Sequence, residues 1–287
     1  CVEEGLDAVT AIRMATLNAA ECFDLKDRGA IAPGYRADVV LLDDLKDFHV
    51  NRVFIQGALV AEEGKYLPEI KRYDISTVKG SVIVKDFSAE KFKMHLKSNK
   101  VNVIKILPGG VVTAKDTAEI QLDENGEFVR NPEEDIVKVA VVERHQGTGN
   151  VACGFLKGYG IKAGAVALSI AHDSHNIIVV GVSDEEMEFA VNSLIAQEGG
   201  MVLVREGKVL ESMPMPIAGL MSDQSGEWVD EKLTAIHAKA YEELGIAGDV
   251  EPVMTLCFMS LAVIPEVKLT DMGLFDVTTF SFIPVEA

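Results

Sequence analysis

Ser169-Ile170-Ala171-His172-Asp173-Ser174-His175-Asn176-Ile177-Ile178-Val179-Val180-Gly181 reads as two buried strands on either side of a polar break. An apolar run without alternation belongs to a strand covered on both faces, and Val166 to Ala171 and Ile177 to Gly181 are of that kind. Outward from this pair, Ile136 to Val142 is a third apolar strand, and Ser81 to Val84 and Val101 to Ile106 are strand-like runs. Asn125-Gly126 is a two-residue hairpin signal, and Glu206-Gly207 is another between Met201 to Arg205 and Lys208 to Leu210. Ser183 with Glu186 forms a capping box that starts a helix, whose apolar face is Met187, Ala190, Val191, Leu194 and Ile195 and which ends at Gly199-Gly200. A further helix carries Val229, Leu233, Ile236, Ala240 and Leu244 at helical spacing and closes at Gly245. Strands and helices mix without a strict βαβ repeat, so the fold class of this part is α+β, a mixed sheet with flanking helices.

The beginning of the chain is organised differently. Ala8, Val9, Ile12 and Ala15 share one helical face, and Thr16 or Asn18 can cap a second short helix running to Phe23, so two packed helices are expected. From Ala37 to Leu42 a nearly continuous apolar run reads as a buried strand, Val50 to Ile55 follows, and Gly57 marks the turn into Ala58-Leu59-Val60. This makes a small sheet with no reacting group in it.

Composition narrows the function. Of 287 residues 48% are apolar, enough to fill a sizeable core. The 45 acidic against 27 basic residues give a formal charge of −18, which repels phosphate backbones and anionic lipid surfaces, so neither nucleic acid nor a membrane is an expected partner. No apolar run approaches the ~20 residues of a membrane span, no signal peptide is apparent, and the expected compartment is the cytoplasm. Cys1, Cys22, Cys153 and Cys257 lie far apart with no C-x-x-C pair, which suggests ordinary thiols rather than a zinc ribbon or a disulfide framework.

Two polar clusters interrupt the apolar framework. Glu143-Arg144-His145-Gln146-Gly147-Thr148-Gly149-Asn150 follows a buried strand, but its glycines fit no phosphate-binding spacing. In His172-Asp173-Ser174-His175-Asn176, five polar residues sit between buried strands, where each unsatisfied group costs roughly 1 to 3 kcal/mol. If extended, this segment puts His172, Ser174 and Asn176 on one face and Asp173 and His175 on the other; a turn would bring the histidines together. Three readings stand: an intrinsic metal site, a hydrogen-bonded structural turn, or a wall completing an active centre built by another segment. His49, His95 and His237 are isolated and read as surface or structural residues.

Specific resemblances emerge from these stretches. The runs Ala11 to Ala20 and Gly29 to Asp43, with Pro33-Gly34 as a turn and Asp38 before a strand, resemble the end of metal-dependent amidohydrolases, where the chain leaves the (β/α)8 barrel and returns to a small β-sandwich. Val142 to Asn150, Ser169 to Gly181 and Met215 to Ser222 resemble the C-terminal domain of bacterial adenine deaminases. The resemblance implies two domains, an amidohydrolase tail over 1–70 and an α+β C-terminal domain over 71–287. It also implies a parent enzyme that hydrolyses adenine to hypoxanthine and ammonia with two divalent metals, manganese or iron.

In that family the metal ligands and the general base lie in the barrel, and none of the six histidines takes those roles. No catalytic residue and no metal ligand is therefore assigned in this chain. With its opening Cys1-Val2-Glu3-Glu4-Gly5, it reads as a fragment that binds no metal of its own and is inactive alone, its partners being the N-terminal barrel and, from its long apolar strands, further copies of itself. The residues expected to line or support the site are Glu143, Arg144, His145, His172, Asp173, His175 and Asn176. Two alternatives remain open: a structural or oligomerisation module, and the tail of another amidohydrolase such as a cytosine deaminase or dihydropyrimidinase.

Overall fold

Helical structure starts at Asp7, whose carboxylate accepts the Thr10 amide at 2.9 Å and satisfies one of the free N–H groups of the first turn. The structure, a computed structural model, describes residues 1–287, and the chain divides into one unit over Cys1–Tyr73 and a second over Asp74–Ala287.

In the first unit, α1 (Ala8–Arg13) and α2 (Ala19–Cys22) are joined through a π turn at Met14–Asn18. The two separate helices expected from the sequence are thus one run. Thr16, expected to cap a second helix, instead donates its hydroxyl to Ile12 O at 2.6 Å, and Asn18 makes no side-chain cap, so neither residue interrupts the helix. Strands β1 (Val39–Leu42), β2 (Val50–Ile55), β3 (Ala58–Glu62) and β4 (Lys65–Tyr66) pair antiparallel in that order. Ile55 faces Ala58 across a two-residue turn, Gln56-Gly57. Asp38 supports this sheet by accepting the Gln56 amide at 2.8 Å and by pairing with Arg36 at 2.8 Å. The strand expected to be buried forms, but Val40 and Leu41 are exposed, and Ala20 is the buried apolar residue of this unit.

The second unit is built on eight strands: β5 (Lys100–Ile106), β6 (Thr113–Glu119), β9 (Ile136–Val142), β10 (Val151–Lys157), β11 (Ala165–Leu168), β12 (Ile177–Gly181), β13 (Gly200–Arg205) and β14 (Lys208–Pro214). Their order is β14-β13-β11-β12-β9-β10-β5-β6, antiparallel throughout except for the parallel pair β10–β5. Smaller pieces are the pair β7 (Gln121–Leu122) and β8 (Phe128–Val129), and the set β15 (Val267–Thr270), β16 (Gly273–Asp276) and β17 (Ser281–Phe282). With the helices below, this is the mixed-sheet α+β fold that the sequence indicates.

Both faces of the sheet are covered, which explains why its strands do not alternate. Val137, Val139, Val141, Leu168, Ile178 and Val180 point to one side, where they pack with Ile236 and Ala240 of α4 (Gly226–Glu242) and Leu256 of α5 (Pro252–Cys257). Ala140, Val142, Ile177, Val179, Val202 and Val204 point to the other, against Met187, Ala190, Val191 and Leu194 of α3 (Asp184–Ala196). Each fully buried Val, Leu or Ile contributes about 1.5 to 3 kcal/mol. Ser183 caps α3 by accepting the Glu186 amide at 3.3 Å. The reciprocal half of the capping box is absent, since the Glu186 carboxylate turns to the Gly207 amide at 3.4 Å. Glu206-Gly207 makes the expected two-residue turn, with Arg205 opposite Lys208 and both turn residues in the left-handed region.

Three strand expectations need correction. Residues 81 to 84 form no ladder: Ile83 makes a single bond, to Arg144 O at 2.8 Å, while Val82 and Val84 pack on the α3 side. The Asn125-Gly126 loop spans residues 123 to 127 rather than two, because the Asp123 carboxylate gathers the Asn125 and Glu127 amides, both at 2.8 Å. Strand β11 stops at Leu168 instead of reaching Ala171, since Ser169 Oγ takes the Gly200 amide at 2.7 Å and the chain bends away.

Candidate functional site

The register of the sheet gathers both polar clusters at one end. Val142, the last residue of β9, is opposite Val151 of β10 and Ile177 of β12, so the 143–150 and 169–176 loops emerge side by side. Gly200 opens β13 opposite Pro214 of β14, which brings the segment after β14 to the same end.

Glu143 is 6% exposed and belongs to its own loop. Its carboxylate accepts the amides of His145 at 2.5 Å, Gln146 at 2.7 Å and Thr148 at 2.9 Å, and the Thr148 hydroxyl at 3.1 Å. Burial alone would raise its pKa; the amide bonds outweigh burial and hold it down at about 2. A carboxylate with this set of donors is a loop anchor, not a group that exchanges protons near neutral pH.

Arg144 is 1% exposed. Its Nε donates to His175 O at 2.5 Å, Nη1 and Nη2 donate to Ala218 O at 3.3 and 3.2 Å, and its amide donates to Asn176 Oδ1 at 3.3 Å. Burial pulls its pKa down. His145 is exposed, and its Nε2 lies 2.7 Å from Ser174 O, a second tie between the two loops.

The segment 172–175 is a turn. Of the arrangements open to the sequence, this is the one that brings the histidines together: the His172 and His175 ring centres are 5.3 Å apart, and His172 also lies 4.7 Å from the Phe258 ring. His172 donates its amide to Cys257 O at 2.8 Å, and His175 donates its amide to Ala171 O at 2.6 Å. Asp173 and Ser174 are exposed, whereas Asn176 is buried and donates to Asp271 Oδ1 at 3.2 Å. Burial lowers the pKa of His175, helped by His172 and Arg144 and opposed by Asp173, which favours the uncharged ring. Its Nδ1 is buried without a hydrogen-bond partner.

The seven residues singled out from the sequence therefore share one end of the sheet but divide in kind. Glu143, Arg144, His145 and Asn176 tie loops together, while His172, Asp173 and His175 are what the turn presents. The sequence reading missed Asp271 and Phe258 as neighbours, because neither lies in a polar run. It also gave no role to Ala218 and Gly219, which act through backbone oxygens: Gly219 O accepts from Ser169 Oγ at 2.5 Å. The isolated histidines are each paired with a carboxylate: His49 with Asp43 at 2.6 Å, His95 with Glu127 at 2.8 Å and His237 with Glu251 at 2.5 Å.

The donor set does not fit a metal. No group of three or more His, Cys, Asp or Glu side chains is placed to hold an ion. The metals implied by the amidohydrolase resemblance have no ligand set in these residues, and no chemical step is assigned to this chain through them. A hollow of about 1080 Å³ lies wholly among residues 1 to 48 and has mainly apolar walls such as Ile12, Phe23, Leu42 and Phe48; none of the seven residues lines it. The cysteines are free, and burial pushes the Cys153 and Cys257 thiols up to about 12, away from nucleophilic use. No helix is long and apolar enough to cross a membrane.

Comparison with known proteins defines the class first: residues 2–60 match the amidohydrolase family. Residues 110–281 match the adenine deaminase C-terminal domain, and the chain belongs to that family. It is 66% identical over 287 residues to adenine deaminase 2 of Desulfotalea psychrophila, covering 100% of this chain and 50% of that protein. It is 49% identical over 286 residues to the adenine deaminase of Ligilactobacillus salivarius, covering 100% of this chain and 50% of that protein. With adenine deaminase 2 of Carboxydothermus hydrogenoformans the identity is 48% over 284 residues, 99% of this chain and 50% of that protein. The chain spans about half the length of the curated relatives it matches.

Proposed function

We propose that this chain is the C-terminal part of an adenine deaminase that hydrolyses adenine to hypoxanthine and ammonia, and that it is inactive alone. The observation that carries this reading is the end-to-end match to adenine deaminases, through an amidohydrolase segment and then the deaminase C-terminal domain. The parent enzyme is metal-dependent in this reading, with manganese or iron held by residues of the remaining half; the amidohydrolase match over residues 2–60 supports the metal dependence.

Within the parent enzyme, the His172–Asn176 turn forms part of the wall around the substrate. His172, Asp173 and His175 shape access or orientation, and Glu143, Arg144, His145 and Asn176 hold them. Support comes from the convergence of both polar clusters at one end of an otherwise apolar sheet. The partners in this reading are adenine, the N-terminal barrel and further copies of the chain; exposed Phe280 and Phe282 favour self-association, and the charge of −18 disfavours nucleic acid and anionic membranes. Free thiols, two of them exposed, suit a reducing cytoplasm.

The test is ammonia release from adenine with added Mn²⁺ or Fe²⁺, by this chain alone and by the chain mixed with the remaining half of the enzyme. Activity only on mixing is the expected result. Activity in the chain alone would overturn the division of labour, and no activity in the mixture or in the intact enzyme would overturn the substrate.

A further inference from the structure

Three segments meet on one buried guanidinium. Arg144 reaches from the end of β9 to the carbonyl oxygens of His175 and Ala218, and its amide holds Asn176. Every acceptor of its side chain is a neutral carbonyl. Taking a guanidinium out of water without a carboxylate is unfavourable, and simple core packing does not call for it.

The backbone it grips is itself unusual. His175 and Ala218 supply the two acceptor carbonyls, and both are non-glycine residues in the left-handed region, with φ of 54° and 56°. Side-chain-bearing residues adopt that conformation where their surroundings enforce it. The next residue, Gly219, has φ of 71°, and a Cβ there would lie 2.6 Å from Arg144 Nη1. One cation and two left-handed carbonyls thus fix a turn that places the His172 and His175 rings 5.3 Å apart, with His175 Nδ1 left unpaired.

We propose that Arg144 is a positioning residue of the deaminase site: by holding His175 O and Ala218 O, it sets the orientation in which the His172–Asn176 turn faces the substrate. The proposal rests on the functional reading above, but the clamp is measured without turnover. A merely structural arginine would lower stability when lost and leave the imidazole pair in place.

The experiment is NMR of the imidazole rings in the 287-residue chain, comparing wild type with R144M, R144K and G219A. The expected result is loss of the His172–His175 ring contact in R144M and G219A, with the amide spectrum of β9 to β13 retained. The groups facing His175 are His172, Arg144, Asp173 and His145. Removing the Arg144 charge raises the His175 titration midpoint in R144M, and R144K, which keeps the charge, restores the midpoint without restoring the contact. An unchanged ring contact and midpoint in R144M would overturn the clamp. Should R144M fail to fold, G219A decides: it keeps the charge and displaces the guanidinium, and an unmoved turn overturns the proposal.

In the intact enzyme, G219A is expected to reduce kcat/KM for adenine at least tenfold. A lost ring contact with unchanged kcat and KM would leave the clamp standing and overturn its part in the reaction. A wild-type enzyme inactive on adenine would overturn the functional reading and leave the clamp untouched.

Discussion

Glu143 and Thr148 are joined twice: one carboxylate oxygen accepts both the Thr148 amide at 2.9 Å and its hydroxyl at 3.1 Å. With the His145 and Gln146 amides on the other oxygen, these bonds overcome burial and keep the Glu143 pKa at about 2 against 4.5 for a free glutamate. A folded-state pKa depressed in this way contributes stability that is complete above about pH 4.5 and disappears as the pH falls towards 2. Glu143→Gln is expected to lower the unfolding free energy at pH 7 by on the order of 1 to 2 kcal/mol, allowing for solvent screening at the loop. Urea unfolding at pH 7 and pH 3 checks this, and an equal gap at both values would contradict it.

Lys268 shows the opposite sign. It is fully buried on β15, its Nζ donates to Val111 O at 2.9 Å, and burial lowers its pKa to about 8 from 10.5. Between those values the unfolded chain binds a proton that the folded chain does not, so stability rises with pH across the window and the penalty is fully present below about pH 8. Wild-type stability is expected to increase by on the order of 2 kcal/mol from pH 7.5 to 10 through this residue, and Lys268→Met to remove that increase. Parallel slopes for the two proteins would refute it.

How much of this was written in the sequence follows from how far each signal reaches. β9 and β12 were legible because both faces of each strand are covered, which leaves continuous apolar runs, and α3 was legible because Ser183 caps it. The 81–84 segment misled because its valines pack on the core without pairing, and packing leaves the same apolar pattern as a ladder. The seven polar residues stood out because they interrupt apolar strands. That Arg144 acts on carbonyls of His175 and Ala218 was not legible, since a carbonyl acceptor leaves no mark on residue type. The left-handed Ala218 is hidden for the same reason, being an alanine where glycine would have announced the turn.

Gly164 and Gly207 separate backbone strain from crowding. Both have φ of 67°, but a Cβ at Gly207 meets nothing within 4 Å, whereas one at Gly164 would overlap Val204 O and lie 2.9 Å from Leu244 Cδ2. Gly207→Ala is expected to cost about 1 kcal/mol, the left-handed penalty alone, and Gly164→Ala about 3 kcal/mol or more, because β13 must shift. Thermal unfolding of both variants measures the difference, and equal losses would show that the sheet accommodates the extra atom.

His172 and Asp173 offer the sharpest separation of site from scaffold, because their side chains hold little of the fold. The His172 backbone is anchored by its amide to Cys257 O at 2.8 Å, a bond that Ala retains, and Asp173 is exposed. Loss of the His172 ring removes its contact with Phe258 at 4.7 Å, which predicts a stability change of about 1 kcal/mol or less for the double variant His172→Ala/Asp173→Ala. In the intact enzyme, on the proposed adenine deaminase reading, the same variant is expected to lose about tenfold or more in kcat/KM for adenine, equivalent to roughly 1.4 kcal/mol of transition-state stabilisation. If the turn is scaffold only, the melting temperature falls and activity per folded molecule stays normal. If neither quantity moves, the turn is not part of the substrate wall, and the convergence of the two loops serves the end of the sheet alone.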